Sequence, residues 1–262
     1  MLTNKYITII TIIQLILKAK IKNVGEWKAV LSAIDEIVEE AMFICNTDGI
    51  IFRGMDPTHV SLLDITFPKS SFEELESGTT FFGVRTSEFK NIFSSASDND
   101  TVELQIEDEG NLRVLINGTL SMTFTLRLLE KTETNTPVPR VKPNSKIDLS
   151  PNTLTRIITN LEKVSEYVTI KSLSDRVEFS GRGDAGDAKI DLLKSNPDLE
   201  GLKITEESTS IYSLEFMAKI IRSIGRASQS VNMQYSTQSP MHIEFEMPSM
   251  TKVGYYLAPR VE

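Results

Sequence analysis

The order of hydrophobic patterns along this chain occurs twice, and this duplication restricts the possible folds more than any other feature. In each half a short strand is followed by a helix, a run of strands, a second helix and three final strands. The two copies are about 125 residues apart, which is too long for a solenoid repeat and suits two similar domains. The sequence therefore predicts an α+β protein built from two domains of one design.

The four helices have the clearest pattern, because their apolar residues recur at helical spacing. The residues expected to face inward are Trp27, Leu31, Ile34 and Val38, then Phe89, Ile92 and Phe93, then Leu154, Ile157, Ile158 and Leu161, and finally Leu214, Met217, Ile220, Ile221 and Ile224. Ser150-Pro151 predicts the start of the third helix, and Thr86-Ser87-Glu88 predicts side-chain capping of the second. The similarity of Ser87-Glu88-Phe89 to Leu214-Glu215-Phe216 supports the duplication.

Strands are predicted where short runs alternate between apolar and polar residues or are bounded by turn residues. In the first half they cover 17–22, 41–45, 50–53, 60–67, 101–106, 112–116 and 119–128, and in the second half 147–149, 167–171, 176–180, 188–193, 231–235, 241–247 and 254–257. Asn46–Gly49 and Asn117-Gly118 have the composition of tight turns between paired strands.

The remaining segments divide the chain into four parts. Residues 130–144 are polar and contain Pro137, Pro139 and Pro143, which favours an extended, fairly stiff linker between domains 17–129 and 145–262. Residues 1–16 are interpreted as an extension outside the fold. Their apolar run, residues 6–17, is about a dozen residues long against the roughly 20 of a membrane-spanning helix, so no membrane anchor is expected. A secretion signal is not favoured either, because no cleavage site of small residues follows.

The composition excludes several kinds of site. One cysteine and two histidines cannot form an internal disulfide or an ordinary zinc site, so neither a metal nor a cofactor is expected. A net charge of −8 gives no general attraction to nucleic acid, which would need cations gathered on one surface. The third and fourth helices do place cations on one face each, although solvated surface charges would give the same pattern.

The segment Met55–Leu62 (MDPTHVSL), preceded by Asp48-Gly49-Ile50, resembles the signature of the proliferating cell nuclear antigen family, and Tyr255–Arg260 (YYLAPR) is similar to its carboxyl end. The resemblance covers residues 17–262, including the duplication and the linker. It implies a DNA-clamp fold in which antiparallel sheets form the outside and four helices line the channel of a three-subunit ring, built from one chain or from paralogues. It also implies a sliding clamp that encircles duplex DNA and acts as a processivity factor.

The resemblance further implies three groups of functional residues. The DNA-facing group is Lys28, Lys90, Arg156, Lys163, Lys219, Arg222 and Arg226, although Ala29, Phe93 and Glu215 occupy positions where cations would be expected. Contacts to phosphates carry no sequence information, which suits a protein that slides. The subunit contact is expected to join the strand 119–128 to 177–183 of the next chain, through Thr119, Met122, Phe124 and Leu126 on one side and Val177, Phe179 and Gly181 on the other.

The third group is a pocket for peptides of DNA polymerase, the clamp loader, flap endonuclease and DNA ligase. Its residues are Met55, His59, Val60, Leu62, Val138, Pro139, Pro240, Tyr256, Leu257, Ala258 and Pro259. An apolar pocket with a flexible methionine suits varied peptides, and an extended linker offers backbone groups to them. Such a protein would work in the cytoplasm, at the nucleoid, of a cell without a nucleus and otherwise in the nucleus.

Two alternatives stay open at this point. Gly181–Gly186 satisfies G-x-G-x-x-G, the pattern of a dinucleotide-binding enzyme, but the pattern requires a helix where residues 187–193 alternate as a strand. No P-loop, H-E-x-x-H or G-x-S-x-G motif appears, so the protein is not expected to be an enzyme. A protein-interaction scaffold that does not bind DNA would share the pocket without needing a ring.

Overall fold

A computed structural model describes residues 16–108, 110–131, 136–140 and 142–260 of the chain. The extension before Ile16 and the linker residues 132–135 and 141 lie outside the described residues. Ile16, assigned above to the extension, donates a backbone hydrogen bond of 2.7 Å to the carbonyl of Ile106 and so already belongs to the first sheet. The rest of the described linker forms neither helix nor regular strand.

The described residues form eighteen strands and four α-helices. The first half contains β1 (Leu17–Ile21), α1 (Val24–Asp35), β2 (Glu40–Asn46), β3 (Gly49–Met55), β4 (Ser61–Pro68), a short 3-10 turn (Lys69–Ser71), β5 (Phe72–Ser77), β6 (Thr80–Arg85), α2 (Thr86–Ser94), β7 (Thr101–Ile106), β8 (Asn111–Asn117) and β9 (Ser121–Arg127). The second half contains β10 (Ser145–Leu149), α3 (Pro151–Leu161), β11 (Tyr167–Leu173), β12 (Arg176–Gly183), β13 (Gly186–Leu193), β14 (Leu199–Ile204), β15 (Ser208–Ser213), α4 (Leu214–Ile224), β16 (Ser230–Tyr235), β17 (Met241–Glu246) and β18 (Lys252–Leu257).

The strands form three antiparallel sheets, and one of them crosses the boundary between the halves. The first half contributes a five-stranded sheet in the order β5-β1-β7-β8-β9, and the second half contributes a four-stranded sheet in the order β13-β12-β11-β15. The third sheet has nine strands in the order β14-β10-β16-β17-β18-β4-β3-β2-β6. It forms because β18 of the second half pairs with β4 of the first, from Lys252 opposite Thr66 to Leu257 opposite Ser61.

The helices pack in a single row, with α1 in contact with α2 and α4, and α4 in contact with α3. The predicted inward-facing residues are buried in all four helices, except that Ile92 and Val38 are half-buried and Val38 lies beyond the end of α1. Ser150 caps α3 as predicted, since its side chain accepts a hydrogen bond from the backbone N–H of Thr153. The predicted side-chain capping of α2 by Thr86-Ser87-Glu88 is wrong, because the start of α2 has no side-chain cap. The Thr86 hydroxyl instead lies within hydrogen-bond distance of the Asp35 carboxylate and of the carbonyl oxygens of Val38 and Glu39.

The same two strands of each half, β5 and β6 and their equivalents β14 and β15, were not predicted from the sequence. In the chain, β5 and β6 lie between β4 and α2, and β14 and β15 lie between β13 and α4. β5 (FEELES) and β15 (STSIYS) contain few apolar residues, and each lies at the edge of a sheet, whereas β6 (TFFGVR) is rich in apolar residues and could have been recognised from its sequence. An edge strand that is partly open to solvent needs less apolar alternation than a central strand.

The strand pairings align the two halves residue by residue, and we call aligned residues counterparts. Ile44 lies opposite Phe81 in the first half, and Lys171 lies opposite Thr209 at the same ladder position in the second. The same comparison makes Arg85 the counterpart of Ser213, so Phe89 corresponds to Met217. The predicted alignment of Ser87-Glu88-Phe89 with Leu214-Glu215-Phe216 is therefore wrong by one residue, because Ser87 corresponds to Glu215.

Candidate functional site

The signature loop, residues 56–60, connects β3 to β4 and is organised by the buried carboxylate of Asp56. That carboxylate accepts hydrogen bonds from the backbone N–H groups of Thr58 at 2.8 Å, Val60 at 2.9 Å and Ser61, and from the hydroxyls of Thr58 and Ser61. Burial alone would raise the pKa of Asp56, but the hydrogen bonds from Thr58 and Ser61 outweigh it and lower the pKa. The aspartate of the signature segment therefore holds the loop in shape.

The organised loop exposes His59, whose backbone has a φ of 61° in the left-handed region. Its N–H donates to the carbonyl of Asp56 at 2.9 Å, which closes a tight turn. The carbonyl of Val60 accepts a hydrogen bond of 2.9 Å from the N–H of Ala258. The signature loop and the carboxyl end, which are far apart in sequence, are thus joined directly.

Three strands bring the predicted pocket residues together at the boundary between the halves. Leu62 of β4 lies opposite both Met55 of β3 and Tyr256 of β18. The Tyr256 ring stacks on His242, with ring centroids 4.3 Å apart, and burial lowers the pKa of this histidine. The other predicted residues occupy exposed or half-buried positions, which are Val60, Val138, Pro139, Pro240, Ala258 and Pro259.

Leu257 is a correction to this set. Successive residues of a strand point to opposite faces, so Leu257 points away from the face that carries Tyr256. It is fully buried in the hydrophobic core and cannot line a surface pocket. Its contribution to the site is to hold β18 in place.

A cavity of about 340 Å³ lies beside these residues and extends the site further into the first half. Of the predicted residues only Met55 and His59 line it. Its other principal lining residues were not predicted as part of the site, namely Val38, Met42, Arg53, Leu129 and Thr136. Arg53 forms an ion pair of 2.9 Å with Asp64 and donates to the carbonyl of Thr136 in the linker at 3.5 Å. The alternation of β2, which directs Met42 outward between the buried Ala41 and Phe43, was the signal that could have found this wall.

The cations of the four helices are less available than their number suggests. Within the chain, Lys28 pairs with Asp98 at 3.1 Å and Lys219 with Glu215 at 2.9 Å, while Lys90 pairs with Asp35 and Arg222 with Glu162. Lys163 donates to the side-chain oxygen of Asn160 at 2.9 Å. Among the residues that the structure describes, Arg156 and Arg226 have no ion-pair partner, and Arg226 lies beyond the end of α4.

Of the two strands predicted to form the subunit contact, only one lies at the edge of a sheet. β9, with Met122, Phe124 and Leu126, is the outermost strand of the five-stranded sheet. Val177, Phe179 and Gly181 belong to β12, which is already paired with β11 and β13 on its two sides, so this assignment is wrong. The edge strands of this sheet are β13 and β15. Thr119 is also misplaced, since it lies in the turn between β8 and β9.

Comparison with known proteins places this geometry in a family. The model of the N-terminal domain of proliferating cell nuclear antigen matches residues 16–129, and the model of its C-terminal domain matches residues 137–260. The chain belongs to the proliferating cell nuclear antigen family. The fold class is confirmed, since the two matched domains contain four helices and antiparallel sheets.

Relatives and solved structures of this family extend over nearly the whole chain. Proteins named DNA polymerase sliding clamp from Cenarchaeum symbiosum and Nitrosopumilus maritimus are 38% and 37% identical, each over 93% of this chain and 98% of its own length. The crystal structure of PCNA from Thermococcus kodakaraensis superposes with a TM-score of 0.88 at 21% identity, over 93% of this chain and all of that one. A PCNA2–PCNA3 complex from Sulfolobus tokodaii gives 0.87 at 24% identity, over 94% of this chain and all of that one.

The glycine pattern of this family member has a structural explanation. Gly181 and Gly183 end β12 and Gly186 begins β13, so the segment is a hairpin and no helix starts there. A Cβ on Gly183 would lie 2.1 Å from the carbonyl oxygen of Val164, a distance that no side chain tolerates. The glycines allow close packing of two backbones, and the dinucleotide-binding hypothesis is wrong.

Two further features are absent from the described residues. They contain no group of three or more histidine, cysteine, aspartate or glutamate side chains arranged to hold a metal ion. None of their helices is both long and apolar enough to span a membrane.

Proposed function

We propose that the chain is a subunit of a DNA polymerase sliding clamp, a ring that encircles duplex DNA and acts as a processivity factor. The observation that carries the proposal is that β18 and β4 join the two halves within the chain, while their counterparts, β9 and β13, are left as open edges. Unpaired strand edges are normally paired or protected. Repeating the internal junction between successive copies would pair β9 of each copy with β13 of the next, and such head-to-tail contacts can close a ring.

The internal junction supplies the register for the junction between subunits. Val253 lies opposite Ile65 and Tyr255 opposite Leu63 in the β18·β4 pair. Their counterparts predict that Met122 lies opposite the partner's Ile190 and Phe124 opposite the partner's Ala188. On the other face, Thr123 would lie opposite the partner's Lys189.

Burial supports the same contact. Val253, Tyr255, Ile65 and Leu63 are fully buried in the internal junction, whereas their counterparts Met122, Phe124, Ile190 and Ala188 are only half-buried in the single chain. Ile220 is also fully buried, and its counterpart Ile92 is half-buried. The apolar residues that a partner would cover are therefore those whose counterparts are covered within the chain.

The turn after β17 shows how such a junction is anchored. The N–H of Ser249 donates to the carboxylate of Glu26 in α1 at 3.0 Å, and the Ser71 hydroxyl donates to the Ser249 carbonyl at 3.0 Å. The counterpart turn, between β8 and β9, has Leu120 68% exposed. We expect this turn to pack against the first turn of α3 in the neighbouring subunit, as the Ser249 turn packs against the first turn of α1. One chain thus supplies both complementary edges, so we propose a ring of three identical copies.

The ring would place the helix row around the DNA. Four of the helix cations form ion pairs with carboxylates of the same chain, namely Lys28, Lys90, Lys219 and Arg222. Arg156, Lys163 and Arg226 form no such pair among the described residues and would be the most available to DNA. A surface with few free cations gives weak, sequence-independent contact with phosphates. Weak contact is sufficient because a closed ring is retained by topology, and no catalytic group is required.

The pocket around Met55, Leu62 and Tyr256 would bind the peptides of DNA polymerase, the clamp loader, flap endonuclease and DNA ligase. The described linker residues Val138 and Pro139 and the exposed Pro240 would complete it. An incoming peptide could place an apolar side chain in the pocket and extend along the linker backbone. The site of action would be the nucleoid of a cell without a nucleus, or the nucleus otherwise.

Retention on DNA of two topologies tests the proposal. The purified chain, loaded by its clamp loader onto nicked circular DNA, should remain bound through gel filtration and should be lost once the DNA is linearised. Stimulation of DNA polymerase should require a primed template on which the ring can be loaded. Equal retention on circular and linear DNA, or none on either with a monomeric mass, would contradict a ring of identical subunits. Recovery of retention only after addition of a paralogue would show a heteromeric ring.

A further inference from the structure

A cavity of about 170 Å³ lies between α3 and β13, beside the open edge of the four-stranded sheet. Its apolar wall is formed by Ile157 of α3 and by Ile190 and Leu192 of β13, and its polar rim includes Thr153 and Asp198. At the closed junction β18 pairs with β4, and the turn before β18 contacts the first turn of α1. The cavity therefore lies where the equivalent turn of a neighbouring copy would pack.

The side chains that meet at the closed junction and their counterparts at the open edges differ in size. Continuing the β18·β4 register by one residue places Phe67 opposite Thr251, and both are buried. Their counterparts are Leu192 and Leu120, which lie opposite each other in the register inferred for the ring. A large and a small side chain within the chain thus correspond to two leucines of intermediate size between copies. Leu120 is the most exposed of the large hydrophobic side chains that the structure describes.

The polar side chains beside the cavity show a similar exchange. At the closed junction Glu26 of α1 accepts from the N–H of Ser249, and the hydroxyl of Ser71 donates to the Ser249 carbonyl. The counterparts of Glu26 and Ser71 are Thr153 and Asp198, and the Thr153 hydroxyl donates to the Asp198 carboxylate at 2.6 Å. Each half therefore has one carboxylate and one hydroxyl at this place, on opposite elements.

We propose that this cavity is a socket for the turn 118–120 of the next copy, with Leu120 filling its apolar part against Leu192. The inference rests on the proposed ring and identifies the side chains that would make its junction selective. A leucine opposite Phe67 would be crowded, whereas a threonine opposite Leu192 would leave a gap, and each defect weakens packing. Matched sizes would therefore favour pairing of β9 with β13 over exchange of strands between the two kinds of junction.

Exchange of the two size pairs tests the socket. Leu120→Thr should weaken ring association by about 10-fold, because it leaves the socket partly empty. Leu192→Phe should weaken it by a similar factor of about 10, because the ring would crowd Leu120. The double variant should recover most of the lost association, because it recreates between copies the pair that Phe67 and Thr251 form within the chain. Sedimentation velocity over a range of concentrations measures all four proteins.

Met250→Ala is the matched control. Met250 is 60% exposed in the turn of the closed junction, so its truncation should leave association unchanged. Circular dichroism establishes that each variant is folded, and Leu120→Thr changes a side chain that is exposed in the single chain. If the unmodified chain forms trimers, unchanged association of Leu120→Thr, or losses that simply add in the double variant, would overturn the socket alone. An unmodified chain that stays single at every concentration would overturn the ring together with the socket.

Discussion

The junction between the two halves of the chain is formed by a pair of strands, β18 and β4, whose counterparts β9 and β13 are unpaired at one edge. At the closed junction β18 pairs with β4, and the residues between the strands and the core are fully buried. At the open edges β9 and β13 have the same alternation, but Met122, Phe124, Ala188 and Ile190 are only half-buried. We infer from this difference that the single chain is an incomplete unit, and we propose that its contact with a partner repeats the internal one.

We also propose a reason why the two junctions would have different functions. The signature loop lies beside the closed junction, and its counterpart beside the open edge is the Gly181–Gly186 hairpin. The first connection has five residues between its strands, residues 56–60, while the second has only residues 184–185. The longer connection carries the Asp56 hydrogen bonds and reaches the carboxyl end through Val60 and Ala258. We infer that this added length turned one of two similar junctions into a partner site.

The largest expected effect comes from placing a charge in the open junction. Phe124→Asp should separate the ring into single chains, with an association constant reduced by more than about 100-fold, because an unpaired carboxylate would be buried opposite the partner's Ala188. Thr123→Asp, on the exposed face of the same strand, is the matched control and should leave the ring intact. Sedimentation velocity over a range of concentrations measures both. A Phe124→Asp protein that stays trimeric would rule out β9 as the contact.

The next comparison makes equivalent truncations at the two junctions. Val253→Ala should lower the free energy of unfolding by about 2 kcal/mol at every protein concentration, because its cavity lies within one chain. Met122→Ala should leave the unfolding of the dissociated chain almost unchanged and weaken ring association by about 10-fold. Urea unfolding at two concentrations distinguishes them. An identical concentration dependence for both variants would remove the distinction between a closed and an open junction.

A third test concerns the loop that only the closed junction has. Because hydrogen bonds lower the pKa of Asp56, the unfolded chain binds its proton more tightly, and the stabilisation is present at neutral pH and lost as the pH falls below about 4. Asp56→Asn should cost about 2 kcal/mol at pH 7 and weaken binding of a partner peptide. Unfolding measured between pH 3 and pH 7 should show the two proteins converging at the acidic end. A constant difference across that range would exclude the carboxylate as the cause.

The smallest effect is expected in the helix row. Arg156→Ala should reduce the salt dependence of DNA retention by up to about one unit in slope, since a free cation contacts phosphate. Lys28→Ala should change it less, because Lys28 is already paired with Asp98. Dissociation from circular DNA, followed from low to high salt, compares the two. Equal effects would mean that the internal ion pairs open when DNA is present.

The helices and the signature segment could be predicted from sequence because their information is local. The apolar residues of α3 and α4 recur every three or four positions, and each predicted inward residue of these two helices is buried. The subunit edge could not be predicted in the same way. Val177 and Phe179 alternate like residues of any strand, and only the pairing of β12 with both β11 and β13 shows that this strand is internal. The order of strands in a sheet depends on contacts between distant residues.

The cavity beside the signature loop was missed for a related reason. Met42 and Leu129 are apolar residues that resemble ordinary core positions in sequence, and they line one cavity because the backbone of Leu129 bridges to Gly83 of β6. Likewise, the cations of the helices were found, but their pairing with Asp35, Asp98 and Glu162 requires neighbouring elements to be placed first. The sequence shows which side chains of the helices are cationic, whereas the carboxylate that pairs with each cation is set by tertiary contacts.

The most direct test of the central claim is to lock the inferred register between copies. Thr123→Cys combined with Lys189→Cys places two thiols directly opposite each other across the open junction, while the native Cys45 is buried and its pKa is raised to about 12 by that burial. Mild oxidation should give a covalently closed species of three chains on a denaturing gel, and this species should stay on circular DNA and leave linearised DNA. Recovery of single chains only, under conditions where the reduced protein is folded, would contradict the claim that β9 and β13 repeat the internal junction.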